Sequence, residues 1–285
     1  MHGWVLQDAF KTFTHDQDKA IPPDETLRRF RQRLAAVRLD LLKDTVRIDN
    51  GRLGIPVYLS RCGQDAQLVI GTRKQMGKGA TPQQAEASAV MELAERFSFF
   101  SFVQNPSHFT VAPLTALAEP VIPYEAIVRS VHDPAGDFPE IRRFFESLPF
   151  KWTRAFNLTR GQIVMVPFDW FFAINEFNGP SAGNCKEEAI LQGLCEIVER
   201  HVSSIISHEQ RRVPSIRPES ARDPLVVDML AKYRRCGIRL FLSDFTLDTG
   251  IPTVGVLAYD PQPHPQNSEI VWTAGPTPSP EKALS

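Results

Sequence analysis

Hydrophobic residues recur at helical spacing in several stretches, and these stretches predict the longest helices of the chain. An apolar stripe that begins at Leu27 runs between arginines and predicts an amphipathic helix over residues 24–41. Two longer helices are predicted over residues 82–102 and 186–207, where polar and apolar residues again separate onto opposite sides. The pattern therefore predicts a fold in which long helices are major elements.

Shorter segments complete a predicted succession of strands and helices. Strands are predicted at residues 55–60, 67–71, 152–158, 163–168, 238–245, 252–258 and 270–273. Helices are predicted at residues 124–131, 139–148 and 225–236. This order predicts an α+β fold of repeated strand and helix units, with the helices packed on mainly antiparallel sheets, rather than a doubly wound parallel sheet.

The chain has 285 residues, which is enough for one large domain or two small ones. We expect an N-terminal helical segment over residues 1–44 and a larger domain over residues 45–285. The many prolines of residues 106–150 predict a surface insertion in that domain.

The two long predicted helices carry nearly the same sequence at a constant offset. Gly183 follows Gly79 by 104 residues. The same offset relates Ala85 to Ala189, Glu92 to Glu196, and the pair Glu95-Arg96 to Glu199-Arg200. At about 100° per residue, each copy gathers its polar side chains on one helical face. These residues are Ser88, Glu92, Glu95 and Arg96 in the first copy, and Glu188, Gln192, Glu196, Glu199 and Arg200 in the second.

Both helices have recognisable starts and apolar sides. Thr81 is a good N-cap, and Gln84 completes a capping box. In the second copy Asn184 is the predicted cap, with Glu187 three residues later. The predicted apolar sides consist of Val90, Leu93, Ala94 and Phe97 in the first copy and of Ile190, Leu194, Ile197 and Val198 in the second.

Doubled carboxylates are typical of a magnesium–nucleotide site. A single Glu-x-x-Glu-Arg unit would be ordinary helix-surface patterning, but two copies with the same internal spacing favour a function. Gly77 and Gly79 flank Lys78 just before the first helix, where free backbone N–H groups favour anions. Lys78 is therefore a candidate phosphate contact.

A third copy of the helix start lies at the C-terminus. Residues 279–283 read Ser-Pro-Glu-Lys-Ala and parallel residues 81–85, which read Thr-Pro-Gln-Gln-Ala. One turn of helix is not stable alone, so we expect the chain to be a fragment of a longer protein.

On these residues the chain resembles the YcaO family over residues 45–285. The first ATP-binding element of that family, Ser-x3-Glu-x2-Glu-Arg, is matched by Ser88, Glu92, Glu95 and Arg96. The second, Ser-x6-Glu-x3-Gln-x3-Glu-x2-Glu-Arg, is matched without a gap by Ser181, Glu188, Gln192, Glu196, Glu199 and Arg200. The segments at residues 54–57, 77–81 and 182–184 also look like the family.

The resemblance implies ATP-dependent activation of a peptide or protein backbone amide. A nucleophile adds to the amide carbonyl, and phosphorylation by ATP lets the amide oxygen leave as phosphate, which yields an azoline or a thioamide. The implied Mg²⁺ ligands are Glu92, Glu95, Glu196 and Glu199. Contacts to ATP are implied for Lys78, Ser88, Arg96, Ser181, Glu188, Gln192 and Arg200, and no catalytic residue is identified.

The resemblance also implies partners and shows two departures. The third element of the family, an Arg and a Glu on the next helix, falls past Ser285. No leader-peptide-binding domain precedes the matched region, which disfavours a fused azoline synthetase and leaves thioamidation or a stand-alone role open. The implied partners are a peptide or protein substrate, a TfuA-type or other partner protein, and a second copy of the chain in a homodimer.

The composition of the chain argues against several other classes of protein. The net charge of −1 leaves no electrostatic footprint for a nucleic acid. The start of the chain lacks the features of a signal peptide, and no apolar run is long enough to span a bilayer, so we expect a cytoplasmic protein that does not bind membranes. The cysteines show no zinc-binding spacing and are expected to be reduced thiols: Cys62, Cys185, Cys195 and Cys236.

Two other functions are alternatives to an enzyme. One is a nucleotide-binding or partner protein without catalysis, which the missing third element favours. The other is a dinuclear metal protein, because pairs of glutamates on helices build such sites. That scaffold uses Glu-x-x-His, and His201 lies one residue too late for the motif, so the dinuclear reading is disfavoured.

Overall fold

A computed structural model describes residues 5–14, 18–131, 139–262 and 269–284. It contains three antiparallel sheets with strand orders β1-β2-β3, β4-β5-β6 and β10-β9-β8-β7, here called the first, second and third sheets. The strands are β1 Leu42–Arg47, β2 Val57–Cys62, β3 Lys74–Lys78, β4 Thr110–Ala112, β5 Phe150–Asn157, β6 Gln162–Pro167, β7 Ser215–Ile216, β8 Arg239–Asp244, β9 Thr253–Tyr259 and β10 Ile270–Pro276. The predicted α+β class with mainly antiparallel sheets is confirmed.

The long helices lie where the hydrophobic pattern predicts them. The helices are α1 Pro23–Val37, α2 Gln64–Ile70, α3 Pro82–Gln104, α4 Tyr124–Val128, α5 Pro139–Ser147, α6 Phe168–Asn175, α7 Lys186–Glu209 and α8 Pro224–Arg235. Helix α1 ends four residues earlier than predicted, because Arg38 takes the left-handed conformation with a φ of 55°. Helix α6 was not predicted, since its short apolar sequence has no distinguishing period.

One predicted strand is wrong. Residues 67–71 belong to helix α2 and to its C-cap Gly71, which has a φ of 76°. The Asp40 carboxylate accepts a hydrogen bond from the Gln64 N–H at 2.9 Å and so caps the first turn. The short apolar run at Leu68 has the composition of a buried strand, but Leu68 is 81% exposed. Such a run is ambiguous between helix and strand, and here the capping decides.

Helix α3 packs on the first sheet at close range. The buried Ser60 hydroxyl on β2 donates to the Ala89 carbonyl at 2.7 Å. Leu93 is fully buried in a core with Cys62 and Ala66. A Cβ atom on Gly77 of β3 would overlap the Ala89 backbone, so the strand reaches the helix only because residue 77 has no side chain.

Helix α7 packs on the third sheet in a similar way. Val202 lies in a core with Phe245 and Ala274. A Cβ atom on Gly255 would overlap the Phe245 ring, so the strand leaves the space that this ring fills. The predicted apolar side of α7 is less buried than that of α3, because Leu194 and Ile197 are exposed whereas Val90 and Leu93 are buried.

The second sheet has its own core. Trp152 on β5 is fully buried beside Ile127, Phe145 and Met165. Its indole N–H donates to the Ala112 carbonyl of β4 at 2.9 Å, which satisfies the polar atom of an otherwise apolar side chain.

The chain divides into two compact units. One contains Ser98–Asn178 with the N-terminal end of the chain, and the other contains Leu6–Phe97 and Gly179–Ser285, in each case as far as the structure describes them. The expected boundary between residues 44 and 45 and the expected insertion at residues 106–150 stay predictions. In the described parts of the chain, no helix is both long and apolar enough to cross a bilayer.

Candidate nucleotide site

Helix α3 begins with the predicted capping box. The Gln84 N–H donates to the Thr81 hydroxyl at 3.2 Å, which confirms Thr81 as the cap. The Gln84 side chain reaches back, and its Oε1 accepts from the Ala80 N–H at 2.5 Å. The loop between β3 and α3 is therefore fixed by side-chain bonds on both sides of the cap.

Helix α7 begins differently from the prediction. Cys185, not Asn184, is its N-cap, and no side chain caps it from that position. The Asn184 Oδ1 instead accepts from the Thr26 hydroxyl of α1 at 2.9 Å. Glu188, rather than Glu187, reaches back, and its Oε1 accepts from the Asn184 N–H at 3.1 Å. The prediction failed because Asn184 uses its side chain on a residue far away in sequence.

Glu188 has the most complete set of hydrogen bonds at either helix start. It is 4% exposed. Its Oε1 also accepts from the Asn184 Nδ2 at 3.0 Å, and its Oε2 accepts from the Ala20 N–H at 2.7 Å. Sequence reasoning missed this arrangement, although Glu188 follows Gln84 by the same 104 residues and so occupies the capping-box position of the repeat.

The glycines before both helices are required by the same close approach. A Cβ atom on Gly79 would lie 2.7 Å from the Ala85 nitrogen. A Cβ atom on Gly183 would overlap the Ala189 nitrogen, which is the matching atom of the second copy. Both turns thus bring glycine backbone against the first turn of a helix, at the end where the helix dipole favours an anion.

The polar faces of the two copies come together in one place. Glu196 of α7 raises the pKa of both Glu92 and Glu95 of α3 through charge repulsion. It raises the pKa of Glu199 on its own helix in the same way. The pKa of Glu92 and of Glu199 is raised overall, and the positive charge of Lys78, which is exposed at the end of β3, opposes both shifts. The structure therefore assembles one group of four carboxylates, Glu92, Glu95, Glu196 and Glu199, with Lys78 beside it.

Burial is the main cause of the raised pKa of Glu92, Glu95 and Glu199. It raises the pKa of Glu92 and Glu199, although a neighbouring arginine opposes the shift in each case. Burial together with Glu196 and Glu92 raises the pKa of Glu95 to about 7, against the opposing charge of Arg96. A cation bound among these groups would relieve both the burial penalty and the repulsion between them.

The two arginines hold their glutamates loosely. The Arg96 Nη2 lies 3.5 Å from the Glu95 Oε1, and the Arg200 Nη2 lies 3.8 Å from the Glu196 Oε1. The Arg96 side chain is 16% exposed, whereas the Arg200 side chain is 58% exposed. Arg200 thus has more freedom to turn toward a phosphate.

The remaining predicted site residues fall into two groups. Ser88 and Gln192 are exposed on the same helical faces as the glutamates. Ser181 donates its hydroxyl to the Ala189 carbonyl at 2.5 Å, and a Cβ atom on Gly193 would lie 2.9 Å from its oxygen. Ser181 and Glu188 are therefore engaged within the protein, while Ser88 and Gln192 are open to solvent.

The third copy repeats the backbone pattern of the other two. The Ala283 N–H donates to the Ser279 carbonyl at 3.1 Å, as the Ala85 N–H does to Thr81 at 3.0 Å and the Ala189 N–H does to Cys185 at 3.1 Å. A 3₁₀ turn at Lys282–Leu284 follows β10, just as α3 follows β3. Ser285 lies outside the described residues.

The donor set fits Mg²⁺ held jointly with a nucleotide. Among the described residues, no three His, Cys, Asp or Glu side chains are arranged to hold a metal by themselves, which a dinuclear metal protein would require. Mg²⁺ usually binds one or two carboxylates and completes its octahedron with water and phosphate oxygens. Four carboxylates and a lysine provide the oxygens and the positive charge for that arrangement, and the two helix starts lie at dipole ends that favour phosphate.

Comparison with known proteins identifies the family of the chain. Residues 76–285 match the sequence profile of a family described as the YcaO cyclodehydratase, ATP- and Mg²⁺-binding. An uncharacterized protein of Methanothermobacter thermautotrophicus is 30% identical over 258 residues, which cover 85% of this chain and 61% of that protein. The ribosomal protein S12 methylthiotransferase accessory factor YcaO of Escherichia coli is 30% identical over 213 residues, which cover 65% of this chain and 35% of that protein.

Solved structures share the fold. A heterocyclase in complex with substrate and cofactor has a TM-score of 0.74 at 21% identity, covering 98% of this chain and 40% of that one. The YcaO protein of Methanopyrus kandleri, bound with AMPPCP and Mg²⁺, has a TM-score of 0.67 at 24% identity, covering 97% of this chain and 68% of that one.

The chain spans 61% or less of the length of these curated relatives. The matched profile extends over nearly three quarters of the chain and includes both copies of the helix motif. The prediction of ATP and Mg²⁺ as cofactors is confirmed by the description of that family. The chain belongs to the YcaO family.

Proposed function

We propose that this chain forms the Mg²⁺–ATP site of an enzyme that activates a peptide or protein backbone amide, leading to a thioamide or an azoline. The observation that carries the proposal is the mutual electrostatic influence of glutamates from α3 and α7, with Lys78 beside them. Neither helix alone provides this arrangement. The doubled motif is then one site built from two copies.

The proposed roles follow from charge and exposure. ATP and Mg²⁺ supply the phosphoryl group that turns the amide oxygen into a leaving group and the charge that screens the phosphates. Glu92, Glu95, Glu196 and Glu199 are the proposed ligands of Mg²⁺. Lys78, Arg96 and Arg200 are proposed to neutralise phosphate charge, and the exposed Ser88 and Gln192 to contact the nucleotide.

Ser181 and Glu188 are proposed to serve the same site from within the protein. Ser181 ties the turn before α7 to the Ala189 carbonyl. Glu188 ties the start of α7 to Asn184 and to Ala20 in the N-terminal segment. Both side chains therefore fix the turn at Gly183, whose backbone would face the nucleotide.

The named relatives support the reaction class and the partners. A heterocyclase with bound substrate has this fold, and a relative from Rhizobium leguminosarum bv. trifolii, 26% identical over 249 residues, is named for its position in the tfuA 3' region. We propose a peptide or protein substrate and a TfuA-type partner on this basis. A cytoplasmic location and a homodimer are proposed from the sequence.

The substitution Glu199→Gln tests the proposal. We expect it to weaken Mg²⁺-dependent binding of a non-hydrolysable ATP analogue at least about tenfold in calorimetry, because the neutral amide cannot replace a carboxylate in the metal site. Glu140→Gln, at a surface position 75% exposed, is the matched control and should bind like the wild type. The circular dichroism spectrum should be the same for all three proteins.

Two results would count against the proposal. Unchanged nucleotide affinity of Glu199→Gln would contradict the site assignment. Mg²⁺-dependent binding without any phosphate release, when peptide and partner protein are supplied, would favour a nucleotide-binding protein without catalysis.

A further inference from the structure

A groove lies beside the first sheet, between the C-terminal half of α1 and β1. Its volume is about 730 Å³, and its lining comes from residues 31–45. A volume of this size is within the range of binding clefts, which spans roughly 300 to 1,000 Å³. None of the residues assigned to the nucleotide site lines this groove.

One wall of the groove is the free edge of a sheet. Among the strands of the described residues, β1 pairs only with β2, so it is the edge strand of the first sheet. The Ile48 N–H donates to the Val57 carbonyl at 2.8 Å, which fixes the phase of the ladder. Because an antiparallel ladder alternates, the backbone groups of Thr45 and Arg47 point away from β2. No described residue forms a backbone hydrogen bond with them.

The groove has an excess of positive charge. Its acidic side chains are already engaged, since Asp44 is bound by Arg61 at 2.5 Å and Asp40 accepts from the Gln64 N–H at 2.9 Å. Arg31, Arg38 and Lys43 also line the groove, so its lining has three cationic side chains and two acidic ones. A bound segment therefore meets a net positive charge.

The rest of the lining is partly apolar. Leu34, Leu39 and Leu42 contribute to the groove, and Leu39 is exposed. An extended peptide directs alternate side chains to opposite faces, so one face can contact leucines while the other presents charge. This combination suits a strand in which acidic and apolar residues alternate.

We infer that the groove between α1 and β1 binds an extended, acidic segment of the peptide or protein substrate, which adds to β1 as a further strand. The inference rests on the proposed function, because it assigns the groove to that reaction's substrate. Backbone bonds to Thr45 and Arg47 provide affinity without selecting a sequence, and Arg38 and Lys43 select acidic segments. The docked segment is distinct from the amide that reacts.

Fluorescence anisotropy tests the charge preference. The probe is a labelled peptide of alternating leucine and glutamate, and the matched probe alternates leucine and lysine. We expect the acidic peptide to bind and the double variant Arg38→Glu/Lys43→Glu to weaken it at least about tenfold. Arg33→Glu, an exposed residue of α1 outside the groove, is the control and should change the affinity by no more than about twofold. Equal binding of both peptides, or an unaffected double variant, would overturn the inference.

A backbone test addresses strand addition directly. Arg47→Pro removes an N–H that points away from β2, and a proline is tolerated at that position of an edge strand. Arg47→Ala removes the same charge and keeps the N–H. We expect the proline variant to weaken acidic-peptide binding at least about fivefold relative to the alanine variant. Equal affinities would exclude strand addition.

The same variants can be used to test the groove and the nucleotide site independently. Binding of the peptides is measured without nucleotide, and binding of Mg²⁺ with the ATP analogue is measured in parallel. Groove variants should bind the analogue like the wild type, which also shows that they are folded. If the protein binds the ATP analogue but not the peptides, the inference about the groove is wrong and the proposed function stands. If it binds the peptides but not the analogue, the proposed function is wrong.

Discussion

The segment before α3 and the segment before α7 both approach their helices closely, but the glycine stands on opposite sides of the contact. In the first copy Gly77 on the strand lies against the Ala89 backbone on the helix. At the matching positions of the second copy, Ser181 on the loop lies against Gly193 on the helix, and a Cβ atom on Gly193 would also meet the Gly179 carbonyl oxygen. In each copy, therefore, the residue without a side chain is the one that faces backbone of the other segment.

The two copies also differ in what supports the helix start. In the first copy β3 precedes α3 as part of a sheet, and the neutral Gln84 is sufficient as the capping-box residue. In the second copy a loop precedes α7, and Glu188 adds bonds to Asn184 Nδ2 and to the Ala20 N–H of the N-terminal segment. A carboxylate accepts several N–H groups at once, which explains its presence where more donors converge.

The largest expected effect comes from filling the glycine of the first copy. Gly77→Ser should destabilise the protein by about 3 kcal/mol, because the new side chain overlaps the Ala89 backbone and overpacking is not relieved within a sheet. The double variant Gly77→Ser/Ala89→Gly recreates the pair found in the second copy, but it should not recover that loss, because removing the Ala89 side chain leaves the overlapping backbone atoms in place. Urea unfolding measures both changes.

The third copy provides the control for this experiment. A Cβ atom on Gly275, which matches Gly77, would lie 3.6 Å from the Ala283 carbonyl oxygen, an ordinary contact. Gly275→Ala should therefore change the stability by less than about 1 kcal/mol. Equal losses at both glycines, or full recovery in the double variant, would contradict the assignment of the clash to the Ala89 backbone.

A smaller effect is expected at the capping-box residues. Glu188→Ala should destabilise by roughly 3 kcal/mol or less, because it leaves buried N–H groups of Ala20 and Asn184 without an acceptor. Gln84→Ala should remove only about 1 kcal/mol, since it removes one bond at a helix start. The ratio of the two losses in urea unfolding is the measurement. Equal losses would show that the N-terminal segment does not depend on Glu188.

The smallest effect is expected for a pH-dependent contact of the third copy. Burial raises the pKa of Asp223, but bonds from the Leu225 N–H and from Lys282 outweigh it and lower the pKa below 3.8. A lowered pKa means that the stabilisation is present above 3.8 and is lost as the pH falls through the lower value of the folded protein. Asp223→Asn should therefore flatten the acid limb of the unfolding midpoint plotted against pH. An unchanged acid limb would exclude this contact as a contributor.

Much of the fold is predictable from the sequence because its long elements have a strong period. Helices α3 and α7, strands β8, β9 and β10 of the third sheet and the Thr81 cap lie where the pattern predicts them, whereas the two-residue strand β7 was not predicted. The errors concern short or tertiary features. Residues 67–71 form a helix because Asp40, far along the chain, caps it, and Asn184 is not a cap because Thr26 engages its side chain.

In the candidate site, too, the local pattern is predictable from the sequence and the tertiary contacts are not. The register of the repeat places Glu92, Glu95, Glu196 and Glu199 on corresponding faces, and the structure brings those faces together. The sequence does not reveal that Leu194 and Ile197 on the opposite side of α7 are exposed, or that Ala20 reaches Glu188. Such contacts join residues that no local pattern connects.

The most direct test of the account is a double-mutant cycle across the two copies. Glu95→Gln and Glu199→Gln are made singly and together, and the affinity for Mg²⁺ with a non-hydrolysable ATP analogue is measured by calorimetry. If both helices build one site, each single change weakens binding at least about tenfold and the double variant weakens it little further, a coupling of roughly 1.4 kcal/mol or more. Independent, additive losses, or full affinity with either glutamate replaced, would contradict a single site formed by both copies.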